Sequence, residues 1–182
     1  MENSKIFAEM ITHIPLCTHI CSSDVLVLGE FNEDLELECK KHEKESKFVF
    51  ETEVDFEKFE NKSFDTIILN EENIDFKVVS NVFRVLKDDG LVVFTTSSYF
   101  KDSEKLKNDL ELFGDKFWIV MPYSFGHTTC IIASRKYHPT ADLNLQRADF
   151  LEDMDYYSAE IHNASFVFPA LIHKSLTGIA KR

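Results

Sequence analysis

The sequence is poor in the residues that divide a chain into flexible pieces. Its 182 residues include five glycines and four prolines, and no stretch has the glycine-, serine- or proline-rich composition of a linker. A chain of this length can bury a sizeable core. Hydrophobic residues make up 44% of it, which excludes a disordered chain. We therefore expect a single domain over residues 1–182.

Basic residues are also scarce. Lysine and arginine number 20 against 32 aspartates and glutamates, which gives a formal net charge of -12. Because nucleic acids are bound through basic surfaces, this balance argues against a nucleic-acid partner. It is compatible with a small cationic ligand such as a polyamine, although many soluble proteins are acidic without such a ligand.

Long apolar runs are missing. No segment has the roughly 20 apolar residues that cross a bilayer, so no membrane association is predicted. The first residues, MENSKIFAEM, lack the basic and apolar parts of a secretory signal. We expect a cytoplasmic location with reduced thiols. The histidines and cysteines between residues 13 and 21 fit no common zinc spacing, so no metal site is predicted.

Strand and helix patterns alternate along the chain. Short apolar runs predict strands, and apolar residues spaced by three and four predict helices. The predicted strands span residues 25–28, 47–50, 64–69, 91–94, 117–121 and 128–133. The predicted helices span residues 6–12, 33–42, 54–60, 75–87 and 101–113. The first of them is expected to end before Pro15. The helix over residues 75–87 is expected to bury Phe76 and to end at the turn 88–90.

This alternation implies a mainly parallel sheet covered on both faces. The sequence PYSFGH between the last two strands predicts an antiparallel hairpin. The expected fold class is α/β, a Rossmann-like sheet of the S-adenosylmethionine-methyltransferase type with a closing hairpin. Its parts are a gate helix within residues 1–20, a sheet core over 24–135 and a helical, aromatic tail over 148–182. The interval 30–64 is short for two βαβ units of roughly 30 residues each, so one strand–helix unit is expected to be reduced.

The turn after the first predicted strand is the most informative local feature. Residues 24–36, DVLVLGEFNEDLE, predict a buried strand, a tight turn at Gly29 and a helix that starts near Asn32. In open α/β sheets this junction holds a nucleotide, because glycines let the backbone approach the ligand. Here a single glycine is followed by Glu30 and Phe31. The scaffold of a nucleotide site is present without its usual glycines.

Three segments together resemble the spermidine synthase (polyamine aminopropyltransferase) family. Residues 9–19, EMITHIPLCTH, are similar to the family's helix before the first strand. Residues 81–98, NVFRVLKDDGLVVFTTSS, are similar to its helix, D-G turn and fifth strand. The third match lies in YHPTADL at 137–143 and DYYSAEIHNASFVFPALIHKSL at 155–176, which resemble the C-terminus. The segments occur in the family's order and cover nearly the whole chain.

The resemblance implies aminopropyl transfer from decarboxylated S-adenosylmethionine to putrescine. The family's glycine-rich nucleoside loop corresponds to residues 29–34, where only Gly29 is retained. The resemblance implies that Gly29, Glu30 and Asn32 contact the nucleoside, together with Glu51 after the second strand. The chain begins at the gate helix, so the family's N-terminal β domain is expected to be absent.

The family's catalytic D-x-x-D-P motif falls on residues 70–74. Asn70 and Asn73 stand in place of both aspartates, and an amide cannot act as a general base. The catalytic positions are therefore Asn70, Glu71 and Glu72, with the glutamates as possible displaced bases. Asn73 and Tyr123 match substrate-contacting positions. For His162, in the C-terminal match, a structural hydrogen bond is favoured over a catalytic function.

The predicted function is a spermidine-synthase-like protein with weak or no activity. Decarboxylated S-adenosylmethionine would be its co-substrate if it is active, and no other cofactor is predicted. Three alternatives stay open: an active, divergent aminopropyltransferase that uses Glu71 or Glu72, a small methyltransferase, and a non-catalytic interaction module. A homodimer is expected, and in the last alternative the gate helix and the aromatic tail form its interface.

Overall fold

A six-stranded mixed sheet forms the centre of the computed structural model, which describes residues 4–71 and 73–182. The strands are β1 (Asp24–Gly29), β2 (Lys47–Glu51), β3 (Phe64–Asn70), β4 (Leu86–Thr96), β5 (Ile119–Phe125) and β6 (Thr128–Ser134). The helices are α1 (Ser4–Thr18), α2 (Glu33–Lys40), α3 (Phe76–Val85), α4 (Ser103–Gly114), α5 (Leu145–Asp149), α6 (Ala159–Ala164) and α7 (Ala170–Ser175). Within these described residues, no helix is long and apolar enough to cross a membrane.

The strand order is β2-β1-β3-β4-β6-β5. β1 to β4 run parallel, and β6 lies antiparallel to both β4 and β5. This confirms the predicted Rossmann-like sheet with its closing hairpin. Because the carboxyl ends of parallel strands lie along one edge, Gly29, Glu51, Asn70 and Thr96 are brought to the same edge of the sheet.

Successive residues of β1 face two separate cores, as strand geometry requires. Val25 and Val27 belong to the core that α1 and the tail cover. Leu26 and Leu28 belong to the core that α3 and α4 cover. All four side chains are fully buried, so helices on both faces hold β1, and with it the turn at Gly29, in place.

The gate helix is longer and more buried than predicted. It does not end before Pro15 but runs over Ser4–Thr18 with this proline inside it. Residues 8–18 are all buried, so packing outweighs the backbone hydrogen bond that a proline removes. Residues 8–18 are thus covered within one chain, and a dimer interface on the gate helix could involve only its half-buried or exposed first residues, 4–7.

No helix forms over residues 54–60, contrary to the prediction. Residues 52–63 consist of turns and irregular backbone between β2 and β3. Arg84 of α3 holds this segment, because its guanidinium donates to the carbonyl oxygens of Phe56 and Phe59 at 2.8 and 2.9 Å. The interval therefore lacks a second strand–helix unit, in agreement with the predicted reduction.

The boundary between α3 and β4 also differs from the prediction. α3 ends at Val85, and the residues expected to form a turn lie inside β4. A Cβ on Gly90 would lie 2.9 Å from Leu86 Cδ2 and 3.1 Å from the Asp65 carbonyl oxygen, so this glycine permits close strand packing and does not end a helix. Phe76, expected on the buried side of α3, is 63% exposed.

The tail forms three short helices, α5, α6 and α7, and a buried carboxylate fixes it to α1. The Glu9 side chain is 0% exposed. It accepts the backbone N–H groups of Asp155, Tyr156 and Tyr157, each at 2.8 Å. No other carboxylate among the described residues accepts three hydrogen bonds from consecutive backbone N–H groups of a distant segment. Glu9 thereby joins the two ends of the chain.

His162 has the structural function favoured by the sequence. Its Nε2 lies 3.0 Å from the Pro139 carbonyl oxygen, which can only accept, so Nε2 donates and Nδ1 accepts the Tyr157 hydroxyl at 2.8 Å. Burial lowers the pKa of His162 to about 4, so the ring is neutral near pH 7. Both ring nitrogens are engaged within the protein.

Candidate functional site

The ends of β1 and β3 meet in a tight contact, which we call the β1–β3 corner and define by Gly29 and Asn70. The two residues are paired in the parallel ladder. Gly29 has a φ of 95°, and a Cβ added to it would lie 2.2 Å from the Asn70 carbonyl oxygen. Both the backbone conformation and the neighbouring strand require glycine here. The retained glycine thus has a structural cause that is independent of any ligand.

The side chain of Asn70 is engaged within the corner. Its Nδ2 donates to the carbonyl oxygen of Glu30 at 2.5 Å. This bond ties the end of β3 to the turn in which a nucleoside would be expected. An ionised aspartate at this position could not make it, because a carboxylate only accepts.

We predict that Asn70→Asp lowers the free energy of unfolding at pH 7 by about 1–3 kcal/mol. The new carboxylate would face the Glu30 carbonyl oxygen, and a stabilising bond would become a repulsive contact. Urea unfolding followed by circular dichroism measures the loss. Asn73→Asp is the matched control, since Asn73 is exposed, and it should change stability by less than about 0.5 kcal/mol. Equal effects of the two substitutions would contradict the assignment of this bond.

A small cavity opens beside the β1–β3 corner. Its volume is about 230 Å³, below the roughly 300–1,000 Å³ of common small-molecule sites. Phe31 is part of its lining, and the Phe31 ring packs against Phe50 with the centroids 5.2 Å apart. The residues that line it are Phe7, Glu30, Phe31, Asn32, Leu35 and Asn70.

The N-terminus of α2 lies at this cavity and is already capped. The side-chain oxygen of Asn32 accepts the backbone N–H of Leu35 at 3.1 Å, the usual function of an N-cap asparagine. The first turn of the helix carries Glu33, Asp34 and Glu36. These carboxylates offset the positive end of the helix dipole. Glu30 precedes this turn, and among the residues that line the cavity it is the one with an ionisable side chain.

The loop after β3 carries the other predicted catalytic positions. Glu71 is half-buried, and its Oε1 accepts the backbone N–H of Asn73 at 2.8 Å. Glu72 lies outside the described residues. Of the catalytic positions that the structure describes, Glu71 alone has a side chain that can accept a proton from an amine.

Two further predicted site residues do not line the cavity. Glu51, at the end of β2, forms an ion pair with Lys58 at 2.6 Å. Tyr123 of β5 is fully buried against Phe166, with the ring centroids 5.3 Å apart. Burial raises the pKa of the Tyr123 hydroxyl well above its ordinary value, and Cys130 adds to the increase. Tyr123 therefore lies within the core rather than in the lining of the cavity.

A second cavity, which the sequence did not indicate, lies at the end of β4. It has a volume of about 320 Å³. Thr96 donates to the buried carboxylate of Asp109 at 2.5 Å, and Lys105 pairs with the same carboxylate at 3.0 Å. The run TTSS at residues 95–98, where β4 ends, was the available signal, because it places hydroxyl groups at the carboxyl edge of the sheet. Thr95, Thr96, Ser97, Lys101, Asp102 and Lys105 line this cavity.

One group of described residues has the donor types of a metal site, namely His19, Asp65 and Asp89. The Nδ1 of His19 accepts the backbone N–H of Cys21 at 3.1 Å, so a neutral ring carries its proton on Nε2. That protonated nitrogen is the one that faces Asp89, at 3.9 Å, and it cannot ligate a metal in this state. Asp65 is already paired with Lys87 at 2.9 Å. The group therefore fits a structural cluster in which Asp65 is held by an ion pair and His19 by a backbone hydrogen bond, and we assign no metal to it.

Comparison with solved structures shows that the fold is similar to that of spermidine synthases and of a methyltransferase. A spermidine synthase in complex with the transition state analogue AdoDATO has a TM-score of 0.76 at 22% identity, over 95% of this chain and 74% of that chain. A spermidine synthase from Thermotoga maritima has a TM-score of 0.74 at 21% identity, over the same shares of the two chains. A phosphoethanolamine N-methyltransferase of Haemonchus contortus has a TM-score of 0.52 at 15% identity, over 75% of this chain and 38% of that chain.

The curated relatives of similar sequence are named polyamine aminopropyltransferases. The polyamine aminopropyltransferase of Helicobacter acinonychis (strain Sheeba) is 27% identical over 94% of this chain and 76% of its own length. That of Methanocaldococcus jannaschii is 27% identical over 89% of this chain and 72% of its own length. No protein-family model matches the chain. The relatives confirm the resemblance to the spermidine synthase family, and the chain is a spermidine-synthase-like protein.

Proposed function

We propose that this spermidine-synthase-like chain has little or no aminopropyltransferase activity. In aminopropyl transfer the amine nitrogen forms a bond to the carbon beside the sulfonium, and the carbon–sulfur bond breaks with its electron pair going to sulfur. The amine must also lose a proton, which requires a base within hydrogen-bond reach. The observation that carries the proposal is Asn70, whose amide donates to the Glu30 carbonyl oxygen at the position of a motif aspartate.

The shape of the corner supports the same proposal. The Asn70–Glu30 bond ties the turn after β1 to the end of β3, and Phe31, which packs against Phe50, is one of the residues that line the cavity. The remaining volume of about 230 Å³ is small for a nucleoside with an attached aminopropyl group. Decarboxylated S-adenosylmethionine would therefore bind weakly or not at all.

The acidic residues at and near the cavity beside the β1–β3 corner favour a cationic ligand. Glu30, Glu33 and Asp34 surround the start of α2, and Glu71 lies on the neighbouring loop. The lining of the cavity contains no lysine or arginine, and fields of one sign concentrate ligands of the other. A small polyamine is the ligand class that these residues fit, and the curated relatives carry the name polyamine aminopropyltransferase.

A turnover assay with decarboxylated S-adenosylmethionine and putrescine tests the proposal, with the Helicobacter acinonychis relative assayed alongside. We expect a rate at least about 100-fold lower than that of the relative, which is the lower end of what a general base contributes. A rate similar to that of the relative would contradict the proposal.

The second candidate is an active enzyme that uses a displaced base. Glu71 favours it, because it keeps a half-buried carboxylate next to the motif position of Asn70. Under this candidate Glu71→Gln abolishes a clear rate, whereas Glu53→Gln, an exposed glutamate of the segment after β2, leaves it unchanged. Under the proposed function the wild type has little or no rate, so neither substitution changes it measurably.

A further inference from the structure

β2 is an edge strand with one unpaired side. It stands at the end of the strand order, and the N–H of Lys47 donates to Ser23 O beside β1 at 2.7 Å. Because backbone groups alternate along a strand, those of Val49 and Glu51 also face β1, while those of Phe48 and Phe50 face outward. Over the described ranges 4–71 and 73–182, no backbone hydrogen bond outside the β1–β2 ladder involves residues 48–51.

The sequence of β2, KFVFE, is complementary to itself in the antiparallel direction. If a second copy is aligned antiparallel about Val49, Lys47 stands opposite Glu51 of the partner subunit, and Glu51 stands opposite the partner's Lys47. Phe48 and Phe50 likewise stand opposite each other, and Val49 meets its own counterpart. A two-fold interface of this kind uses the same patch on both copies.

We propose that β2 binds β2 of a second copy of this chain and that one continuous sheet then runs through both copies. The second copy is the occupant because opposite charges meet at both ends of the strand, where the partner's Lys47 would join the ion pair that Glu51 already forms with Lys58 at 2.6 Å. Opposite-charge and aromatic pairs across antiparallel strands each stabilise the pairing. A parallel arrangement would instead bring like charges together.

The backbone supports this register. The outward residues Phe48 and Phe50 fall opposite each other, so each such pair can exchange two N–H···O bonds. Lys47 with Glu51, and Val49 with its counterpart, then occupy the non-hydrogen-bonded positions, where facing side chains are closest. A shift of two residues would remove both charge pairs, and a shift of one would set outward residues against inward ones.

The side chains leave room for a partner. Val49 at the centre of the strand is 38% exposed. Phe48 and Phe50 are half-buried, with their rings stacked at 6.0 Å, so a second copy would extend this aromatic row across the axis. The strand lacks the central charge, proline or bulge that commonly protects an edge from pairing. Five paired residues make a small interface, so we expect a reversible dimer.

Sedimentation equilibrium of the whole chain and two charge variants tests the pairing. The wild type should show a monomer–dimer equilibrium below about 200 µM, as expected for a small interface. Lys47→Glu and Glu51→Lys each place like charges opposite each other at both ends, so each should raise the Kd at least about tenfold. An equimolar mixture of the two variants should form dimers again, because every negative position then faces a positive one.

The controls separate pairing from folding and from net charge. Lys77→Glu alters an exposed lysine of α3 and changes the net charge as Lys47→Glu does, so it should leave the Kd unchanged. Recovery in the mixture excludes misfolding of the single variants. A wild type that stays monomeric at 200 µM, a dimer that both variants leave intact, or a mixture that stays monomeric would each overturn the proposal.

Discussion

Gly29→Ala is expected to lower the free energy of unfolding by more than about 4 kcal/mol, a loss that few single substitutions reach. The residue has a φ of 95°, which is costly for a residue with a side chain. The added Cβ would also lie 2.2 Å from the Asn70 carbonyl oxygen, and this oxygen belongs to a central strand that cannot move aside. Urea unfolding measures the loss.

Gly178→Ala is the matched control. Gly178 has a similar φ of 86°, and no atom lies within 4 Å of the Cβ position. It should therefore lose only the conformational part, about 1–2 kcal/mol. If Gly29→Ala fails to fold while Gly178→Ala is soluble and folded, the order of the two effects still holds. Similar losses would contradict the close contact at the β1–β3 corner.

Glu9→Ala is expected to lower the free energy of unfolding by about 3–5 kcal/mol, as when one partner of a buried charged group is removed. Three backbone N–H groups of residues 155–157 would lose the carboxylate that they bind at 2.8 Å. Amide hydrogen exchange at residues 155–157 should accelerate before that of β1, since the tail is released from α1 first.

Two further variants delimit this effect. Glu9→Gln keeps one acceptor oxygen and should lose less stability than the alanine variant, which provides a folded sample if Glu9→Ala does not fold. Glu152→Ala removes an exposed carboxylate nearby in the sequence and should stay within about 0.5 kcal/mol of the wild type. Unchanged exchange at residues 155–157 in Glu9→Gln would contradict the anchoring function of Glu9.

The sequence predicts the central strands well because their apolar runs are continuous. β1 and β3 extend the predicted ranges by one or two residues. The prediction fails where packing overrides a local signal. Pro15 lies inside α1 because residues 8–18 of this helix are buried, and residues 54–60 form turns because Arg84 binds the carbonyl oxygens of Phe56 and Phe59.

The candidate site was predictable in its position but not in its contacts. Parallel strands bring their carboxyl ends together, so the meeting of Gly29 with Asn70 follows from the strand pattern. The Asn70–Glu30 bond and the packing of Phe31 on Phe50 join residues that are distant in sequence. No periodicity encodes such contacts, and the burial of Tyr123 depends in the same way on the folded tail.

The retained glycine and the altered motif have separate explanations. Gly29 is required by the neighbouring strand, so its presence is no evidence for nucleotide binding. Under the proposed function, Asn70 and Phe31, which follow from no such requirement, leave too little room for the nucleoside. The central claim is therefore that the fold persists around a corner that no longer accepts the family's co-substrate.

Calorimetric titration of decarboxylated S-adenosylmethionine into the chain tests this claim most directly, with the Helicobacter acinonychis relative as the positive control. The account predicts no saturable binding up to about 1 mM, the concentration at which the standard binding free energy is only about -4 kcal/mol. Saturable binding at one site per chain with a Kd of about 10 µM or lower would contradict it.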